Sequence, residues 1–147
     1  MKFVVVAVGK VKEPPMRASI DDYLGRIRRY AKVEEVEIED GPAPKLEAAL
    51  LKAAGAATLV PLDSSGKEHD SRGFASFVEK LASTGKGDVA FLIGGKAGLG
   101  KPILDRGASV LSLSKMTFPH RLARLMLVEQ LYRAMTLLRG EPYGARE

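Results

Sequence analysis

Met1 to Val8 reads Met-Lys-Phe-Val-Val-Val-Ala-Val, an almost unbroken apolar run rich in β-branched residues. It shows no alternation of apolar and polar positions, so it reads as a strand with two dry faces, which belongs at the centre of a parallel sheet. That requirement restricts the fold more than any other stretch. Parallel neighbours need long crossover connections, and a doubly buried strand needs helices on both sides.

The rest of the chain supplies them. Residues 17–30 carry Ile20, Tyr23, Leu24 and Ile27 at helical spacing. Residues 32–39 place Val36 and Ile38 among Glu35, Glu37 and Glu39, as in an edge strand protected by charge. An Ala- and Leu-rich helix is expected over 45–54, closed by Gly55. A buried strand over 57–62 follows, and Pro61 marks where the chain should leave the sheet. After a polar loop, 71–83 reads as a helix capped by Asp70 or Ser71, with Phe74, Phe77, Val78 and Leu81 on one face. A turn at 84–87 leads to an apolar strand at 88–93, and a short strand at 109–113 precedes a long helix beginning near Pro119. Strand and helix alternate five times, so the expected fold is α/β, a mostly parallel sheet flanked by helices, with 1–147 as a single domain.

Composition removes several function classes. The chain has no cysteine and two histidines, which leaves no thiolate metal site and little material for a metal centre; none is expected. No secretory leader pattern opens the sequence and no apolar run approaches the ~20 residues of a membrane span. A cytoplasmic protein with no membrane partner is expected. The net charge of +5 suits a polyanionic partner without identifying one. Arg26, Arg28 and Arg29, ending the first helix, suit either its dipole or an RNA contact, and only their place on the fold can decide.

Three strand-end loops carry the chemical signal. Gly95-Lys-Ala-Gly-Leu-Gly-Lys101 has phosphate-loop spacing, but Pro102 stands where that loop needs a hydroxyl for Mg²⁺, which argues against NTP hydrolysis. Gly94 and Gly95 still offer close backbone approach at the carboxyl end of a strand, where open α/β sheets bind ligands; the alternative is a tight turn with no ligand. Leu113 to Phe118 crowds Ser114, Lys115 and Thr117 beside Met116 and Phe118. With Leu62-Asp63, these loops are expected to converge on one sheet edge.

Phe3-Val-Val-Val-Ala-Val-Gly-Lys-Val-Lys, Thr58-Leu-Val-Pro-Leu-Asp, Phe91-Leu-Ile-Gly-Gly, Leu113-Ser-Lys-Met-Thr-Phe-Pro-His, Val128-Glu-Gln-Leu-Tyr-Arg-Ala and Arg139-Gly-Glu-Pro-Tyr together resemble the bacterial large-subunit rRNA methyltransferase H family of the SPOUT superfamily. The resemblance covers essentially the whole chain. It implies a homodimeric enzyme with a C-terminal trefoil knot that uses S-adenosyl-L-methionine to methylate N3 of a pseudouridine in 23S rRNA of the assembled ribosome. By motif, the cofactor contacts would be Leu62, Gly94, Leu113, Ser114, Lys115, Met116, Thr117 and Phe118. Arg133 and Tyr143 are the candidates for acting on the acceptor, Arg133 by stabilising developing negative charge and Tyr143 by stacking. For Arg133 an i,i+4 salt bridge with Glu129 is the competing reading. His120 reads as a helix-start contact rather than a catalyst, and His69 as a solvated loop residue.

One position departs from the family. Gly144 stands where the family has a histidine, which leaves open a different RNA target or a ribosome-associated binding module without catalysis. The long helix carries apolar residues in too many directions for one sheet face. Its surplus is expected to meet a second subunit, or else to be wrapped by its own chain.

Overall fold

In the computed structural model, β1 (Lys2–Val8) lies between two parallel partners, β2 (Lys32–Ile38) on one side and β4 (Asp88–Ile93) on the other. β3 (Thr58–Glu68) and β5 (Leu111–Ser112) complete an all-parallel sheet of order β2-β1-β4-β3-β5. The structure describes residues 1–84 and 87–146; the middle of the expected 84–87 turn and Glu147 lie outside them.

Alternation along β1 divides the core in two. Phe3, Val5 and Ala7 face a layer formed by α1 (Pro14–Ile27), α3 (Ser71–Ser83) and α5 (His120–Leu138), while Val4, Val6 and Val8 face α2 (Ala43–Ala54) and α4 (Lys101–Arg106). Both faces are dry because both are covered, as the uninterrupted apolar run requires. Helix starts follow proline: the helices expected at 17 and 45 begin at Pro14 and Ala43, since a first-turn proline lacks only a hydrogen that the helix does not use. Asp70 is the N-cap of α3, its carboxylate accepting from the Gly73 N–H at 2.7 Å.

Two expectations need correction. Pro61 ends the pairing of β3 with β4, but the chain does not leave the sheet: β3 runs on through residues expected as loop and pairs Lys67 and Glu68 with Leu111 and Ser112 of β5. Polar residues extend this strand because its end beyond β4 has only one neighbour. β2 is an edge strand as expected, yet Glu35 and Glu37 share the covered face with Val33, where Arg17 of α1 and Arg124 of α5 meet them. Its charges therefore serve an internal ion network as well as edge protection.

The apolar circumference of α5 is largely used within the chain. Leu127, Val128, Leu131, Tyr132, Ala134 and Met135 are buried against the sheet, α1, α3 and α6 (Pro142–Ala145), whereas Leu122 and Leu138 each remain 37% exposed.

Candidate functional site

The middle of β3, where its pairing with β4 ends, and the carboxyl ends of β4 and β5 open into a cleft of about 300 Å³. Leu62, Ile93, Leu111, Leu113 and Phe118 give it apolar walls; Asp63, Ser64, Ser114, Thr117, Lys96 and His120 bring polar groups to its rim. All three loops selected from the sequence meet here. Leu62, Gly94, Leu113, Ser114, Met116, Thr117 and Phe118 line the cleft together. Lys115 does not line it and is exposed.

Each loop is held by its own side chains. Ser112, almost wholly buried at the end of β5, donates to the Ser114 carbonyl at 3.0 Å, and the Ser114 hydroxyl accepts from the Met116 N–H at 3.0 Å. These bonds fix the 112–116 turn without a helix or strand ladder. Asp63, within β3, accepts from the Ser65 N–H at 3.0 Å. In the glycine loop, Gly98 donates to the Gly95 carbonyl at 3.0 Å and adopts φ +70°.

Gly94 is required for a reason different from the expected one. A Cβ there would stand 2.5 Å from the Gly98 carbonyl carbon and 2.8 Å from the Leu99 nitrogen, so the residue makes room for its own loop rather than directly for a ligand. The phosphate-loop resemblance ends at Lys101, which opens α4 and pairs with Asp105 at 2.7 Å outside the cleft.

His120 lines the cleft at the first residue of α5, its ring beside Gly9 and its Nδ1 buried without a hydrogen-bond partner. Burial, with Arg124 and Arg121 nearby, pushes its pKa below the ordinary imidazole value, so the ring is neutral at pH 7. The α5 start carries no side-chain cap, and its first backbone N–H groups stand at the same rim. His120, Lys96 and Ser64 belong to the cleft but were absent from the sequence-derived set; their adjacency to its loops was the available signal.

His69 is not the solvated loop residue expected. It stacks on Phe77 with ring centroids 5.0 Å apart, and its Nε2 is buried without a partner. Burial, then Lys67, lowers its pKa.

Arg133 and Tyr143 come together, but away from this cleft. Arg133 sits thirteen residues beyond His120 on α5, about 20 Å along a helix rising 1.5 Å per residue. Its guanidinium pairs with Glu129 at 3.1 Å and lies 5.1 Å from the centre of the Tyr143 ring. The Tyr143 hydroxyl donates to the same carboxylate at 2.9 Å. The i,i+4 salt bridge is thus present, and Glu129 organises both candidates. Burial, followed by Tyr23 and Glu129, raises the Tyr143 pKa far above that of a free phenol, so this hydroxyl is a donor and not a base. Gly144 fits because nothing larger does: a Cβ would lie 2.5 Å from Leu137 Cγ and 2.6 Å from Thr136 Oγ1. Among the described residues no cluster of three metal-ligating side chains exists, and no helix is long and apolar enough to cross a membrane.

A family model described as predicted SPOUT methyltransferase matches residues 1–144. A ribosomal RNA large subunit methyltransferase H of Sorangium cellulosum (strain So ce56) is 54% identical, spanning 98% of this chain and 99% of that protein. Another, from Pelotomaculum thermopropionicum, is 42% identical over 95% of this chain and 96% of its own length. Among solved structures, a probable methyltransferase from Bordetella pertussis Tohama I superposes with a TM-score of 0.52 at 14% identity, covering 91% of this chain and 93% of that one. A probable methylase family protein from Haemophilus influenzae Rd KW20 does so with a TM-score of 0.54 at 10% identity, covering 95% and 67% respectively. At such identities the two structures speak to the fold alone.

Proposed function

We propose, from the premise that this chain belongs to the SPOUT methyltransferase family and groups there with the ribosomal RNA large subunit methyltransferase H proteins, that it transfers a methyl group from S-adenosyl-L-methionine to N3 of a pseudouridine in 23S rRNA of the assembled ribosome. The observation that carries this reading is the convergence of Leu62, Gly94 and the Leu113–Phe118 turn on one cleft at the carboxyl edge of the sheet.

The donor set suits the cofactor. Leu62, Ile93, Leu113 and Phe118 offer an apolar slot for an adenine ring, while Asp63, Ser64 and the backbone of the glycine loop and the 112–117 turn offer partners for ribose hydroxyls and an amino-acid end. The neutral His120 and the uncapped N–H groups of α5 suit its carboxylate. The bound cofactor supplies an already activated methyl group on a sulfonium, so the protein has to orient the acceptor, exclude water and favour the deprotonated imide.

Arg133 is the cation proposed to favour that anion, and Tyr143, held protonated beside Glu129, is proposed to stack on or donate to the acceptor base. Both stand at the far end of α5 from their own cleft. A homodimer that sets this end against the cleft of a second copy would complete the site, and the exposed Leu122 and Leu138 on α5 favour such a contact. The trefoil knot of the family is assigned by the same reading to the region from β4 to α5.

Ribosomes from a strain deleted for the gene, incubated with the purified protein and labelled S-adenosyl-L-methionine, test the reading. Mass spectrometry of the 23S nucleosides should show one pseudouridine gaining a methyl group at N3. Methylation of another nucleoside would reassign the substrate, and cofactor binding with no transfer to ribosomes or free rRNA would refute catalysis on rRNA.

A further inference from the structure

We propose that the arginines gathered where α1 and α5 end form a phosphate-binding platform that holds RNA at the sheet edge opposite the cleft of the same subunit; this deepens the rRNA reading and rests on it for the identity of the RNA. The geometry starts with Tyr30, just before β2 begins, and therefore at the edge where strands start. Its hydroxyl donates to Glu141 at 2.6 Å, tying the end of α1 to the tail beyond α5. Tyr132 packs 4.5 Å from Tyr143 and 6.4 Å from Tyr30, which joins α1, α5 and α6 through one aromatic cluster.

Arginines lie on that cluster. Arg139 sits 5.3 Å from the Tyr30 ring centre and Arg26 5.5 Å from that of Tyr132. Arg29 is close enough to act on the Tyr30 hydroxyl by charge. The nearby carboxylates are already committed, Asp22 to Arg26, Glu129 to Arg133 and Glu141 to Tyr30. Arg28, Arg29 and Arg139 are exposed, and among the described residues none of them has a carboxylate partner or a side-chain hydrogen bond.

A purely structural role is therefore hard to assign. The backbone N–H groups of Arg28 and Arg29 bond the Leu24 and Arg26 carbonyls, but their guanidinium groups bond none of the last carbonyls of α1, which leaves those side chains at most a solvent-screened dipole contact. Arg139 lies over the Tyr30 ring, a cation–π contact that restrains the guanidinium without using its N–H donors and so leaves them for phosphate. An acidic protein surface would supply similar charge, but the similarity of the chain to ribosomal RNA methyltransferases favours RNA.

The test uses the full chain, a fluorescein-labelled single-stranded RNA of mixed sequence, and anisotropy across a salt series. Each phosphate contact on a single strand contributes about 0.7 to the slope of log K against log salt. A triple variant, Arg28→Ala with Arg29→Ala and Arg139→Ala, should flatten that slope by about 2 and weaken binding roughly tenfold or more near physiological salt. The corresponding triple lysine variant should recover most of the slope, because phosphate contact needs the charge. An unchanged slope and affinity in a folded alanine variant overturns the proposal. So does a changed oligomeric state in sedimentation, which would make the surface a subunit contact, or tighter binding of polyglutamate than of RNA by the unaltered chain. Calorimetry separates the two levels: a chain that ignores S-adenosyl-L-methionine yet shows the salt response refutes the methyltransferase reading and supports the platform.

Discussion

Nη1 of Arg124 lies 3.0 Å from Oε2 of Glu35, joining the long helix to the edge strand across 89 residues of chain. Arg124 is fully buried; the same Nη1 also meets Glu37, and Nη2 donates to the Gly9 carbonyl at 3.0 Å. This network lies beside the loop that carries Gly9, against which His120 of the cleft rests.

Arg124→Ala should leave two carboxylates facing each other without their buried cation. Breaking such a pair costs about 3–5 kcal/mol, which for a domain of this size corresponds to a Tm lower by roughly 10 °C. Calorimetric melting checks it, and a fall of only a degree or two would refute the importance of the network.

Acid should weaken the same network through Glu37. Burial pushes its pKa up, but the Val11 N–H, Arg124 and Arg17 outweigh burial and hold it below the ordinary carboxylate value. A depressed folded pKa stabilises the fold above the unfolded value and loses that contribution as pH falls through the folded one. Stability should therefore decline below about pH 4.5, and Glu37→Gln should flatten that acid limb in urea titrations.

His120 should behave in the opposite register of charge. Its folded pKa is depressed by burial first, so the unfolded chain takes up its proton sooner and stability is lost as pH falls below about 6.5. NMR titration of its ring should give a midpoint below that of a free imidazole. An unshifted or raised midpoint would contradict the buried, partnerless Nδ1.

Two loop variants should separate support from contact. Gly94→Ala drives a Cβ into the Gly98–Leu99 backbone and should cost about 1–3 kcal/mol together with cofactor affinity. Ser114→Ala removes only the acceptor for the Met116 N–H; it should leave Tm nearly unchanged and weaken S-adenosyl-L-methionine by about fivefold, as a lost hydrogen bond of roughly 1 kcal/mol allows. Calorimetric titration beside thermal melting distinguishes them.

Gly144→His should unseat the tail, since even a Cβ collides with Leu137 and Thr136. Because only α6 and its Tyr143 contacts depend on the seat, Tm should shift by a few degrees at most while amide exchange over 142–146 accelerates markedly. Unchanged protection there would refute the tight seat.

The order of elements, the double burial of β1 and the three cleft loops were legible in the residues, because periodicity and strand-end glycines report local environment directly. What lay outside their reach were the partners of polar groups. Glu35 and Glu37 look like edge charges until Arg124 arrives from 87 or more residues away. Lys67 and Glu68 look like loop until β5 offers them a ladder, and His69 looks solvated until Phe77 covers it. Arg133 could be paired with Glu129 by spacing, but neither it nor Tyr143 could be placed far from its own cleft. Apolar patterning is a property of one segment and is written in that segment; the pairing of charges and the completion of a site depend on which distant segments meet, and only the tertiary structure decides that.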